Sequence, residues 1–113
     1  MDKSTAFGPA PAPLPDGVRR EVLLHDQKYT VTRVHIAKGV VSTLHDHPHT
    51  QVVYVLSGHG ALNIGDRSLE LGPEQCAAIE PNVCHCFQPP EEDISCLEFF
   101  VPGREDIVQE PCT

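Results

Sequence analysis

The chain has no tryptophan, one methionine, and only four phenylalanines and two tyrosines. Whatever core it builds must therefore be aliphatic, drawn from the 40% of residues that are hydrophobic. Basic side chains are scarce as well: eight Lys and Arg stand against sixteen Asp and Glu, for a formal net charge of −8, and Arg19–Arg20 is the only adjacent basic pair. Nucleic acid and anionic membrane surfaces are recognised through basic patches, so both are excluded as expected partners. An anionic small molecule is not excluded, because a metal ion and one placed arginine can reverse the local field. No apolar run is long enough for a membrane span or a secretory signal, which points to a soluble, cytoplasmic protein. The five cysteines, Cys76, Cys84, Cys86, Cys96 and Cys112, are odd in number and form no CxxC pair. That is a poor disulfide framework, and reduced thiols are expected.

Turn formers, by contrast, are abundant: eleven prolines and eight glycines in 113 residues, the length of one domain. Residues 1–17, MDKSTAFGPAPAPLPDG, alternate Pro and Ala. They read as an extended N-terminal arm, or a strap over the domain, and not as a second domain. From Val18 the chain breaks into short β-rich runs at roughly 18–24, 28–36, 40–45, 51–57, 60–64, 67–71, 75–80, 83–88 and 94–101, with no helical period. Gly65-Asp66 between two alternating runs is a hairpin signal. Eight or nine short strands at this spacing predict an all-β closed barrel or sandwich. The polar stretch from Gly103 could form a helical turn, and 108–113 reads as a C-terminal tail.

The chemistry concentrates between Gly39 and Gly58. His45 and His47 are two apart, so on a strand both imidazoles would face one side, and Gln51 shares their parity. His85 arrives on a later strand, beyond the hairpin. An HxH pair alone is weak evidence, since two such histidines can simply be half-buried polar residues. Four ligands from separate strands of a narrow barrel can nevertheless surround one divalent ion: imidazole suits zinc, iron, nickel and copper, and an amide oxygen suits harder ions such as manganese. Cys84 and Cys86 flank His85, but strand alternation turns both outward if His85 faces inward.

The spacing Gly39-x5-His45-x-His47-x3-Gln51-x6-Gly58 resembles the first cupin motif, G-x5-H-x-H-x3–4-E-x6-G, with Gln in place of Glu. The second motif is looser: Gly72 opens it, Pro81-Asn82 lies near its end and His85 takes its histidine position. Glu74-Gln75 replaces the common Gly-Asp turn, and the proline stands four residues before His85, not five. The resemblance spans about 18–107 and implies a single cupin barrel, the double-stranded β-helix or jelly roll of RmlC-like proteins. It also implies a homodimer formed by sheet packing or strand exchange, which the Pro-Ala arm could cross. HDHPHTQVVYVLSG (His45 to Gly58) and EFFVPGRED (Glu98 to Asp106) further resemble the pectin-degradation cupins of the KdgF type, whose members open 4,5-unsaturated uronates into linear sugars.

That resemblance implies His45, His47, Gln51 and His85 as metal ligands, Arg104 as holder of a substrate carboxylate or ring oxygen, and Phe100 as a pocket wall. Glu98 stands where the family has a catalytic aspartate. It is either an acid–base group reaching one methylene further or an ordinary strand residue at the barrel mouth. Arg104 is either a substrate ligand or half of a surface ion pair. His49, with ligand parity, is expected to contact a ligand or the substrate. His35 either points inward or packs as a polar residue, while His25 and His59 are expected in solvated turns. With three imidazoles and an amide, a Zn, Ni, Fe or Mn ion keeps its full +2 charge, which favours Lewis-acid lyase or isomerase-like chemistry on an anionic, oxygen-rich acid. Two other readings stay open: a non-haem metal dioxygenase or polyketide-cyclase-like cupin, and a non-catalytic metal or ligand sensor.

Overall fold

The computed structural model describes residues 14–108. Eight strands follow in order: β1 (Val18–Asp26), β2 (Tyr29–Ile36), β3 (Thr50–Ser57), β4 (Gly60–Ile64), β5 (Arg67–Leu71), β6 (Cys76–Ile79), β7 (His85–Phe87) and β8 (Ile94–Val101), with a final helical turn, α1 (Glu105–Val108). They form two antiparallel sheets, one of five strands in the order β1-β2-β8-β3-β6 and one of three in the order β5-β4-β7. This is the all-β jelly-roll barrel the sequence predicts. Among the described residues no helix is long and apolar enough to cross a membrane. Most of the expected arm, residues 1–13, lies outside the described residues, as does the tail beyond 108.

Alternation explains which side chains meet. In β2 the even residues Thr30, Thr32, Val34 and Ile36 are buried; in β3 it is Gln51, Val53 and Val55; in β8 it is Ile94, Cys96 and Phe100. The registers Ile36↔Ile94, Val34↔Cys96 and Val55↔Cys96 stack an aliphatic layer at one end of the barrel, completed by Leu62, Ile64 and Phe87 of the small sheet. Each such side chain removed from water contributes about 1.5–3 kcal/mol. Two registers further along, Thr32↔Glu98 and the row Thr30↔Phe100↔Gln51 make the opposite end polar. The barrel thus has a dry end that holds the fold and a polar end left for chemistry.

The close of the His45–Gly58 segment has a steric cause. Gly58 has φ +83°, and a Cβ there would sit 2.2 Å from the carbonyl oxygen of Asp93. Only glycine can turn the chain so close to the start of β8.

The expected strand at 40–45 does not form. The segment is irregular, with Val41 and Leu44 exposed, and joins the barrel through a single bridge, His45↔His85. Its available partner, β7, is only three residues long, and Pro48 has no N–H with which to continue a ladder. The even faces of β2 also settle His35, which lies on the outer side and bonds Ser95 Oγ at 3.1 Å. On that outer side Leu24, Val31, Phe99, Val52 and Ala78 align in register across all five strands of the large sheet.

Candidate metal centre and substrate pocket

Three imidazoles converge at the polar end. His45, on the irregular segment, is brought to His85 by reciprocal backbone bonds, His45 N–H to His85 O (3.2 Å) and His85 N–H to His45 O (2.8 Å). Their ring centroids lie 4.3 Å apart, and the His47 ring is 4.9 Å from that of His85. One nitrogen from each of the three falls within 4.8 Å of the others. His45 and His47 do share a side, but through this bridge and not through the continuous strand their spacing predicts.

The hydrogen bonds select which nitrogens face inward. His45 Nδ1 donates to the Thr43 carbonyl and His85 Nδ1 to that of Val83, each at 2.8 Å. With Nδ1 so engaged, each ring leaves Nε2 as the nitrogen for a ligand, and the buried His85 Nε2 has no hydrogen-bond partner. An imidazole tied through one nitrogen with the other free is the arrangement metal-binding histidines use. Burial, with the charge of Arg104 second, lowers the pKa of His47 to about 4, and burial also lowers that of His85. Neutral imidazole is the form that coordinates. Gln51 completes the group: its Oε1 accepts from His47 Nε2 at 2.9 Å, a contact that a bound ion would replace, and its Nε2 donates to Glu98 Oε2 at 2.8 Å. The orphaned nitrogen of His85, burial that favours the neutral form of His47 and His85, and an inward amide oxygen fit one divalent ion held by His45, His47, His85 and Gln51.

The cluster lines a cavity of about 690 Å³ whose walls include Glu98, Phe100, Arg104, Asp106, His49 and Arg20. Glu98 projects inward from β8 and accepts from Thr32 Oγ1 at 3.3 Å as well as from Gln51. Burial raises its pKa, while Arg20 and then Arg104 act in the opposite direction. The Arg104 guanidinium lies 4.9 Å over the Phe100 ring and forks onto Asp106 through Nε (3.2 Å) and Nη2. Burial works against ionisation of Asp106, but the bonds from Arg104 outweigh it and leave its pKa below the ordinary carboxylate value. Arg104 is thus an ion pair, as one reading had it, yet a pocket-facing one with a side chain only 13% exposed. His49 lines the cavity with its ring 5.4 Å from that of His47. Leu14 and Pro15, from the end of the expected arm, also line it. Cys84 is exposed and Cys86 half-buried, and neither belongs to the imidazole cluster.

His25 corrects an expectation. It is not solvated: β1 runs on to Asp26, and the His25 side chain is 9% exposed, with Nδ1 2.8 Å from Thr30 Oγ1 and Nε2 3.4 Å from Glu105. The fully buried Thr30 Oγ1 also accepts the backbone N–H of Arg104 at 2.8 Å. Gly103 donates to the Gln27 carbonyl, and a Cβ on it would meet Asp26 O at 1.9 Å. The segment carrying Arg104 is thereby docked onto the β1–β2 hairpin. The register of β1 against β2 shifts between Val22 and Leu24, so the inner face that carries Val18 and Arg20 passes to His25, which simple alternation from Val18 does not predict. His59, in contrast, is exposed beside Glu70 as expected.

Residues 32–100 match the model of the Cupin domain family, and the chain belongs to it. A curated relative of the chain is the "Pectin degradation protein KdgF" of Dickeya dadantii, 29% identical over 97 residues that cover 84% of this chain and 87% of the relative. Among solved structures, KdgF from a Halomonas species superposes with a TM-score of 0.77 at 24% identity, covering 83% of this chain and 86% of its own. An RmlC-like cupin from Shewanella frigidimarina gives 0.75 at 25% identity, covering 83% and 84%.

The docking of Arg104 is open to a direct check. Thr30→Val keeps the shape but removes the only acceptor described for the Arg104 N–H, and should cost about 1–3 kcal/mol. Thr30→Ser keeps the hydroxyl and should cost less than half as much. Urea denaturation of the two variants measures the difference, and equal losses would contradict the assignment.

Proposed function

We propose that this cupin is a metal-dependent enzyme that acts on a small, oxygen-rich carboxylic acid, with a 4,5-unsaturated uronate as the substrate class best supported. The observation that carries the reading is the convergence of three imidazoles and an amide oxygen in a cavity whose wall also presents an arginine stacked on a phenylalanine. The pectin-degradation relative points the same way.

His45, His47, Gln51 and His85 hold one divalent ion. The ion's contribution when bound is Lewis acidity: it draws electron density from substrate oxygens and makes a hydroxyl proton easier to remove. Because all four ligands are neutral, nothing in that set offsets the ion's charge or repels an incoming anion. Arg104 takes the substrate carboxylate through the face of its guanidinium not committed to Asp106, and Asp106 keeps that planar group from rotating. Phe100 packs against the apolar edge of the sugar and fixes the height at which Arg104 sits. Glu98 is the carboxylate that faces this space from a barrel strand, and it moves the proton between the substrate hydroxyl and the ring carbon during opening. His49 lies beside His47 on the same wall and contacts the substrate's outer oxygens.

Iron in the same ligand set would permit oxygen chemistry, and substrate-dependent oxygen uptake by the iron-loaded protein would replace the uronate reading with a dioxygenase. Stabilisation by a uronate without turnover would make the barrel a binding module.

The assay is direct. Metal-loaded protein should abolish the ultraviolet absorbance of a 4,5-unsaturated galacturonate or mannuronate faster than the spontaneous reaction, and chelator should stop it. Arg104→Ala should lower kcat/KM by roughly 10- to 100-fold, chiefly through KM, as expected for the loss of a charge-assisted contact. Absorbance that stays constant with every metal tested, while a known linearising enzyme removes it, would sink the uronate assignment.

We also infer a homodimer packed through the apolar row of Leu24, Val31, Phe99 and Val52 on the large sheet. Light scattering should give twice the chain mass, falling to one chain mass for Phe99→Lys. A monomeric wild type would rule the dimer out.

A further inference from the structure

We infer that Glu98, beyond the proton-moving role proposed for it, positions Gln51, and that the pair Gln51–Glu98 is a matched set that accounts for glutamine where the cupin motif has glutamate. The metal-binding part of this inference rests on the reading given under Proposed function; the geometric part does not.

A glutamine ligand has a problem that a glutamate lacks. Its two ends are nearly the same size, but only the carbonyl oxygen can coordinate a cation, while the NH2 group presents protons. Rotation by half a turn about the last side-chain bond would replace a ligand with a repelling donor. The barrel resolves this from both sides. His47 Nε2 lies 2.9 Å from Gln51 Oε1, and Glu98 Oε2 lies 2.8 Å from Gln51 Nε2. A carboxylate only accepts, so it selects the NH2 end and leaves Oε1 directed at the imidazoles.

Glu98 is itself held. Its second oxygen accepts from the fully buried Thr32 Oγ1 at 3.3 Å, and Thr32 and Glu98 are direct partners in the β2–β8 ladder. Gln51 pairs with Phe100 and Val53 with Glu98, so Gln51 and Glu98 are diagonal neighbours on the inner face, within reach of long side chains. The chain of contacts therefore runs Thr32, Glu98, Gln51, His47, its first two links fixed by strand register.

The same geometry explains the departure from the motif. Glutamate at 51 would put a second carboxylate where this hydrogen bond now lies, and two such groups so close resist being ionised together. Glutamine converts that repulsion into a hydrogen bond while keeping one oxygen for the ion.

Two measurements test the inference. The first is Zn²⁺ and Ni²⁺ affinity, by competition with a chromophoric chelator, of wild type, Glu98→Ala and Glu98→Gln. Loss of an outer partner that orients a ligand weakens metal binding by about 10- to 100-fold, and that fall is expected for Glu98→Ala. Glu98→Gln can still accept from Gln51 Nε2 through its carbonyl, so its affinity should stay within about threefold of wild type. Equal falls in the two variants would show that only the charge of Glu98 matters, and no fall in Glu98→Ala would show that it does not orient Gln51; either result overturns the inference.

The second measurement needs no metal. In the metal-free protein Gln51→Glu should melt about 4–8 °C lower, the shift a loss of about 1 kcal/mol produces in a domain of this size. Gln51→Glu combined with Glu98→Gln restores a donor–acceptor pair with the roles exchanged and should recover most of that loss. Failure of the second substitution to rescue the first overturns the inference even if Glu98→Ala does not fold. A wild type that takes up no ion while the rescue succeeds would refute the metal reading and leave the pairing intact.

Discussion

The site depends on one short piece of backbone pairing. His45 lies on a segment that joins no sheet, and only its reciprocal bonds with His85 bring it against β7 of the small sheet. β7 is three residues long, so the bridge sits at the end of that sheet, where the barrel opens. His47 and Gln51 enter from the other side, on the approach to β3 and within it. The imidazole cluster is therefore a seam between the two sheets, and its geometry follows from how the barrel closes. A ligand set on one strand would share that strand's motions, whereas this set senses the spacing of both sheets.

Placing so many polar groups inside a barrel is costly unless each is satisfied. The structure meets much of this with chains of hydrogen bonds, while His47 Nδ1, His49 Nδ1 and His85 Nε2 are buried without one. One chain runs from Thr32 through Glu98 and Gln51 to His47, and a second links His25, Thr30 and the backbone of Arg104, with Glu105 in ion-pair range of His25. The first orders the centre and the second fixes the wall that carries the guanidinium. The aliphatic layer of Val34, Ile36, Val55, Ile94 and Cys96 supplies the stability against which this polar end is held.

Much of this was legible in the sequence. The barrel followed from short alternating runs and turn signals, and the ligand candidates from the spacing of His45, His47, Gln51 and Gly58, because strand parity and motif spacing are local properties. What stayed hidden was non-local. The irregularity of residues 40–45 depends on how short β7 is, which no pattern within that segment reveals. The burial of His25 depends on the segment after Gly103 returning to the β1–β2 hairpin. The bond from Gln51 to Glu98 depends on the β3–β8 register, a pairing across 47 residues of sequence. The readings of Glu98 as a mouth residue and of Arg104 as a surface pair were half of the answer, since both side chains face the cavity while holding partners.

The central claim is that the histidine cluster and Gln51 form a metal centre. Elemental analysis of protein purified without chelator or a metal-affinity step, alongside a His85→Ala variant, tests it most directly. The account predicts close to one divalent ion per chain in the wild type and its loss in the variant. Absence of metal from the folded wild type, even after ions are added back, would contradict it and leave a barrel whose histidines only pack and bind ligand.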